Sequence, residues 1–228
     1  MKRTISILSV ILSLMIGLAS SQSPNEFKVM DPIGRNVVQF RTKAPLEDIV
    51  GTTSQITGQF HVNPTDLKAS GTLGQFEVDL SSLKTGITLR DTHMREQYLH
   101  TERYPKATFT IKSIKKASAN KLPPSKPVTV KAEGTFELHG VKKDILVDAQ
   151  VTYLPESQET MGKLPGNLIR LSSQFDVRLA DYGIERPQMV LLKVGEVSHV
   201  TLDAFASDAS PEKAAMWMEQ MKKMMGGS

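Results

Sequence analysis

Between residues 128 and 138 the chain reads VTVKAEGTFEL, with a small or apolar side chain at every second position. Val128, Val130, Ala132, Gly134, Phe136 and Leu138 share one face, while Thr129, Lys131, Glu133, Thr135 and Glu137 share the other. A period of two belongs to a β-strand buried on one side, because successive side chains of a strand point in opposite directions. The pattern returns after HGVKK, where Ile145, Val147, Ala149, Val151 and Tyr153 keep step, so the two segments predict a hairpin. LIRLSSQFDVRL (168–179) repeats it with Ile169, Leu171, Phe175, Val177 and Leu179 inward and Arg170, Gln174, Asp176 and Arg178 outward. Further strands are expected near 36–42, 47–61, 70–80, 107–116 and 196–206. The connections 115–127 and 155–166 carry the Pro and Gly that a sheet interior excludes.

Strands that are apolar on one face only must close into a barrel or stack as a sandwich. Several run to eleven residues or more, roughly 35–40 Å at about 3.3 Å per residue. About eight of them, closed antiparallel, leave an interior nearly filled by side chains or able to hold one narrow ligand. Gly58, Gly74, Ala132, Gly134 and Ala149 fall on the apolar faces, where small side chains are expected to leave room. The predicted interior is long, narrow and oily. It suits an extended hydrocarbon chain better than a compact polar metabolite.

The N-terminus reads as an export signal. Lys2 and Arg3 precede the apolar run ISILSVILSLMIGLA (5–19), and Ala19 and Ser21 stand where a signal peptidase needs small residues. The expected organisation is a signal peptide over 1–21, a barrel domain over 22–207 and a Met-rich helical tail over 208–228. Residues 23–31 read as a flexible lead-in. A secreted product, placed most naturally in a bacterial periplasm, follows. The 28 basic residues face 24 acidic ones, and without Lys2 and Arg3 they become 26 against 24, a formal charge of +2. No basic stripe survives to hold a phosphate backbone, so nucleic acid is not an expected partner. The chain has no cysteine, which excludes disulfides and thiol catalysis, and stability has to come from apolar burial.

Alternation stops at LRDTHMREQYLHTERYPKATF (89–109). Thr88 and Asp91 match a helix capping box, and Asp91 and Arg95 are spaced to pair along one helical face. Met94, Tyr98 and Leu99 lie on a side that would cover a barrel end, and Pro105 stops the helix before the next strand. A metal or hydrolytic centre built on His93 and His100 is the rival reading. It lacks a third convergent ligand, and Asp91 and His93 at i, i+2 do not face each other on a helix. No GxSxG or phosphate-loop motif is present, so no catalytic residue and no resident cofactor are expected. His61, His139 and His199 are scattered on separate segments and need no special role.

With its neighbours, this stretch resembles the central signature of the YceI-like family, bacterial lipocalin-like proteins that bind polyisoprenoids. Arg90, Asp91, His93, Arg95, Tyr98, Tyr104, Pro105, Ala107 and Phe109 occupy the signature's places. FEVDLSSLKTG (76–86), GTFELHGVKKDILV (134–147) and ADYGI (180–184) are similar to further family segments, so the resemblance spans roughly 35–206. Met94 and Leu99 depart from the usual Leu and aromatic, the 155–166 connection is long, and the first strand differs. The resemblance implies an all-β fold, an eight-stranded antiparallel lipocalin-like barrel with a short helical insertion near 89–99. It also implies a hydrophobic tunnel, export to the periplasm and no catalysis.

The expected function is to bind, sequester or transport a long-chain polyisoprenoid or a related amphiphile, such as a quinone-like lipid. The expected ligand-binding residues are Phe60, Phe76, Val78, Phe109, Ile111, Val130, Ala132, Phe136, Val147, Val151, Phe175 and Val177, with Met94 and Tyr98 at the gate. Over 210–225, Ser210 and Pro211 start an amphipathic helix whose Ala214, Trp217, Met218, Met221, Met224 and Met225 share a face. That helix is expected to pack on the barrel, or else to meet a protein or membrane surface, which makes a scaffold the third reading. A homodimer stays open.

Overall fold

The computed structural model describes residues 25–31, 33–67, 73–186, 188 and 191–224; the expected signal segment lies outside them. Ten strands follow in chain order: β1 Asn25–Val29, β2 Val37–Lys43, β3 Asp48–Thr53, β4 Ile56–Val62, β5 Gly74–Asp79, β6 Lys106–Ala117, β7 Pro127–Leu138, β8 Val141–Leu154, β9 Leu168–Arg178 and β10 Val197–Ser207. All pairings are antiparallel, in the order β1-β4-β5-β6-β7-β8-β9-β10, and β1 pairs again with β10 to close the ring. The hairpin β2–β3 joins the same seam, with β2 lying along β10 beyond β1. Ten segments therefore fill eight positions, with β1 and β2 acting as one broken strand and β3 and β4 as another.

The inward faces are those read from the alternation. Val128, Val130, Ala132, Phe136 and Leu138 are buried on β7, and Val147 and Val151 are buried on β8. The β7–β8 turn is tighter than expected. It consists of His139 and Gly140 alone, both at positive φ (53° and 77°). Two residues at positive φ give the turn whose twist matches that of the flanking strands. On β6, register shifts at Ile111/Ser113 and Ile114/Lys116 break the period. They turn Ile114 inward although it is out of phase with Ala107, Phe109 and Ile111.

Two expectations are corrected here. Residues 25–29 are not a flexible lead-in but strand β1, paired with β4 from Asn25↔Val62 to Val29↔Gly58. Phe27 is fully buried and stacks on Phe60 at 5.7 Å between ring centroids. Nor do Gly58, Gly74 and Gly134 leave open space. A Cβ on Gly58 would meet Phe76 Cδ1 at 2.8 Å and one on Gly134 would meet Phe109 Cζ at 2.5 Å, while Phe60 covers Gly74. The glycines let phenylalanine rings lie flat against the sheet, a cross-strand pairing that removes the cost of an uncovered backbone.

The apolar interior divides between the two ends. At one end Phe27, Val29, Ile56, Phe60, Val62, Leu67, Leu122 and Val128 pack together. Leu67 and Leu122 are held there by the bonds Leu67 N–H to Asn120 O and Leu122 N–H to Pro64 O, at 2.8 and 2.7 Å. At the other end Leu80, Leu83, Leu138, Tyr182 and Ile184 pack with Met94, Tyr98 and Leu99. Met94 and Tyr98 begin and end the wider π-helical turn Met94–Tyr98 that follows helix α1 (Thr88–His93), and Leu99 caps it.

A third cluster lies outside the ring. Helix α3 (Pro211–Met224) lays Ala214, Trp217, Met218 and Met221 on one face. Trp217 packs with Leu164, Leu168 and Phe205 and donates its indole N–H to Met161 O at 2.9 Å. Met224 is corrected away from that face, being 74% exposed; Met225 lies outside the described residues. The short α2 (Gln158–Met161) belongs to the long 155–166 connection, which serves as the seat for α3.

Candidate functional site

The barrel encloses one elongated cavity of about 630 Å³, and its wall is the inward face of the strands. All fourteen residues singled out from the sequence stand on that wall: Phe60, Phe76, Val78, Met94, Tyr98, Phe109, Ile111, Val130, Ala132, Phe136, Val147, Val151, Phe175 and Val177. Alternation sufficed to find the twelve on strands, because in a closed barrel every second residue has only the interior to face, whereas Met94 and Tyr98 come from the helical stretch read as its gate. The reading missed Val38, Phe40, Ile49, Val200 and Leu202, which line the wall along β2, β3 and β10, and left out Leu171, an inward residue of β9. Val200 and Leu202 carry the same period-two signal on the last strand. Phe40 and Gly51 face each other across β2 and β3, and the ring occupies the space that a Cβ on Gly51 would need.

Polar groups gather at one end, where Glu47, Thr85, Arg90, His93, Arg186 and Lys193 join the lining. Arg90 organises them. Its Nε donates to Thr85 Oγ1 at 2.8 Å, its Nη2 to Thr85 O at 3.0 Å, and its Nη1 to Glu47 Oε1. Asp91 completes the clamp by accepting from the Thr85 amide at 2.8 Å and the Thr85 hydroxyl at 2.5 Å. The expected capping box is thus not formed, because the helix starts after Ile87 with no side-chain cap. Asp91 reaches backwards to the loop that precedes the helix, and Arg90 ties that loop to the β2–β3 turn.

Asp91 is only 7% exposed. Burial by itself raises its pKa; the two bonds from Thr85 and the nearby Arg95 and Arg90 more than offset this and hold the carboxyl below the usual aspartate value. No ion pair between Asp91 and Arg95 is formed among the described residues; Arg95 acts only as a nearby charge. Close to the seam, Thr42 is 3% exposed and lines the cavity, and its hydroxyl has no hydrogen-bond partner. Arg186 Nη1 donates to Val194 O at 2.9 Å, which ties these two cavity-lining residues together at the same end.

His93 and His100 do not form one centre. His93 lines the cavity, whereas His100 Nδ1 sits 2.8 Å from His139 Nε2, and His139 Nδ1 sits 3.0 Å from Tyr182 O. A carbonyl can only accept, so His139 Nδ1 carries the proton. His139 therefore has a structural role that the sequence did not reveal: it fastens the turn after α1 to the β7–β8 hairpin and to the 179–182 turn. Among the described residues no group of three or more metal-ligating side chains converges. His199 pairs with Asp176 on the outer wall at 2.5 Å.

A closed eight-stranded antiparallel barrel, oily within and charged at one rim, defines a lipocalin-like fold. The YceI-like domain model matches residues 29–206, and the chain belongs to that family. It is 26% identical over 144 residues to a UPF0312 protein of Photorhabdus laumondii, covering 61% of this chain and 67% of that one. It is 27% identical over 141 residues to protein YceI of Escherichia coli, covering 60% of this chain and 64% of that one. The chain thus aligns with about two thirds of each relative's length. Among solved structures, a polyisoprenoid-binding domain from Saccharophagus degradans superposes with a TM-score of 0.60 at 18% identity, covering 81% of this chain and 98% of that domain. BcnA of Burkholderia cenocepacia gives 0.58 at 14%, with 75% and 96% covered. At these identities the likeness is one of fold.

Proposed function

We propose that this protein binds, without turnover, a single long apolar chain of the polyisoprenoid class or a related amphiphile. The chain lies along the cavity with its polar end among Arg90, His93, Arg186 and Lys193. The observation that carries this reading is the cavity itself: one elongated space, walled mostly by aliphatic and aromatic side chains over its length and charged at one end only. Membership of the YceI-like family supports it, as does the shared fold with a polyisoprenoid-binding domain. Affinity comes from apolar area removed from water at about 25 cal/mol per Å². The entropy lost in ordering a flexible chain subtracts from it.

Residues 1–21 support a further part of the proposal, that the protein works after export, in a periplasm. Fractionation of cells expressing the full chain, with N-terminal sequencing of the mature product, tests that part.

The binding reading is tested by native mass spectrometry of protein purified from its own cell envelope without detergent, followed by solvent extraction. One stoichiometric adduct that extracts as a long-chain lipid is expected. Ala132 is 7% exposed on the cavity wall opposite Val147. The Ala132→Trp variant should keep the β-rich circular dichroism spectrum of the barrel and lose the adduct. A folded variant that still carries the lipid would place the cargo elsewhere.

A further inference from the structure

Several large apolar side chains are exposed, and a group of them crowds around one place. Leu46 (68% exposed), Ile87 (52%), Leu89 (65%) and Leu192 (56%) all stand at the polar end of the cavity. They come from three separate segments drawn together there. Leu46 N–H donates to Leu192 O at 2.9 Å, and the Glu47–Arg90 pair joins the β2–β3 turn to α1 beside Leu89. The result is a raised rim of aliphatic tips around the opening, not a groove. Side chains that each stand alone in sequence are gathered into an apolar crown at this end of the barrel.

The charges around this crown are not balanced. Lys43 at the foot of the β2–β3 turn, Lys84 where the 80–87 loop leaves β3, and Lys193 next to Leu192 form no ion pair among the described residues. The acids near them are partly engaged: Glu47 with Arg90, Asp48 with Arg41 and Glu196 with Arg178, which leaves Glu185, the buried Asp91 and the exposed Glu96 of the helical turn as the opposing charges. Aliphatic tips interleaved with unpaired lysines match the boundary of a bilayer that carries anionic lipids. The leucines enter the acyl boundary and the ammonium groups stay at the head groups.

We infer that the barrel docks mouth-first on an anionic lipid bilayer through this rim, so that cargo moves between membrane and cavity without crossing water. The inference rests on the lipid-binding reading. It assigns the membrane contact to the 43–47, 84–89 and 191–193 loops and not to α3, whose apolar face is already covered by Leu164, Leu168 and Phe205.

The test uses the mature protein with vesicles of phosphatidylethanolamine and phosphatidylglycerol, and with phosphatidylcholine vesicles as control. Wild type should co-sediment with the anionic vesicles only. Leu46→Ser/Leu192→Ser and, separately, Lys43→Gln/Lys84→Gln alter rim residues outside the cavity lining, and each should weaken co-sedimentation roughly tenfold. A fluorescent prenyl alcohol should enter these variants as in wild type when delivered from ethanol, but many-fold more slowly when delivered from vesicles. Wild type that ignores the vesicles while taking up the probe from ethanol overturns the docking inference alone. Wild type that takes up the probe by neither route overturns the lipid-binding reading and the inference with it. If the leucine variant instead abolishes a dimer seen by sedimentation equilibrium, with vesicle binding absent throughout, the rim is an interface between copies and the inference fails.

Discussion

The two ends of the barrel use the same strands and are finished in opposite ways. At the packed end β1 and the loops carrying Leu67 and Leu122 close the ring mainly with apolar side chains, and Phe27 stacks on Phe60, which in turn packs against Phe76 at 5.6 Å. At the mouth the closing element is a helix held by directional bonds: Asp91 and Arg90 on Thr85, Glu47 on Arg90, and His100 on His139. Apolar packing is non-directional and expensive to open, since every separated surface meets water. A short network of polar bonds exchanges with water at little net cost, so it can part and re-form. One end is therefore built for stability and the other for access, and both rest on one wall.

Substitutions at each end should separate the two roles. The largest effect is expected for Phe27→Ala, which empties a fully buried site and should cost about 3–5 kcal/mol in denaturant unfolding. Asp91→Ala comes next. It leaves the Thr85 amide without its acceptor and should cost about 1–3 kcal/mol, with faster proteolysis of the 80–104 segment while the strand signal in circular dichroism persists.

A pH experiment sharpens the contrast. Asp91 in the folded protein gives up its proton at a lower pH than in the unfolded chain. Its contribution to stability is therefore complete above the ordinary aspartate value and is lost as the pH falls through the folded value. Acid should loosen the mouth before the packed end, and Asp91→Asn should flatten that part of the stability profile. The smallest effect is expected for His100→Ala, which removes one exposed side-chain bond to the hairpin and should cost about 1 kcal/mol or less. Amide exchange in α1 and the turn after it should report that loss more clearly than global unfolding does.

How much was legible in the sequence follows the same division. Long strands with one buried face announce themselves by period two, and the cavity wall came with them, from Phe60 on β4 to Val177 on β9. Strand β1 escaped because NEFKV is five residues long and only Phe27 and Val29 point inward. The mouth was less legible because its bonds join residues far apart in the chain, as Arg90 and Glu47 are, or run against a local motif. Thr88 and Asp91 spell a capping box, yet the carboxylate goes to Thr85. The rim was least visible of all, since Leu46, Leu89 and Leu192 are unremarkable singly and become a surface only when three loops meet.

The broken strands at the seam have a mechanical consequence. On its other side β10 is joined to β9 by one unbroken ladder along its whole length. At the seam β1 pairs with β10 at Lys28 and Val29, Met30 N–H donates to Phe205 O, Asn36 Oδ1 accepts from Phe205 N–H, and β2 takes up the ladder from Val37↔Asp203. Two short ladders can shear past one another where a single long one could not. The seam is thus the weakest join beside β10, and deuterium should enter the wall there first.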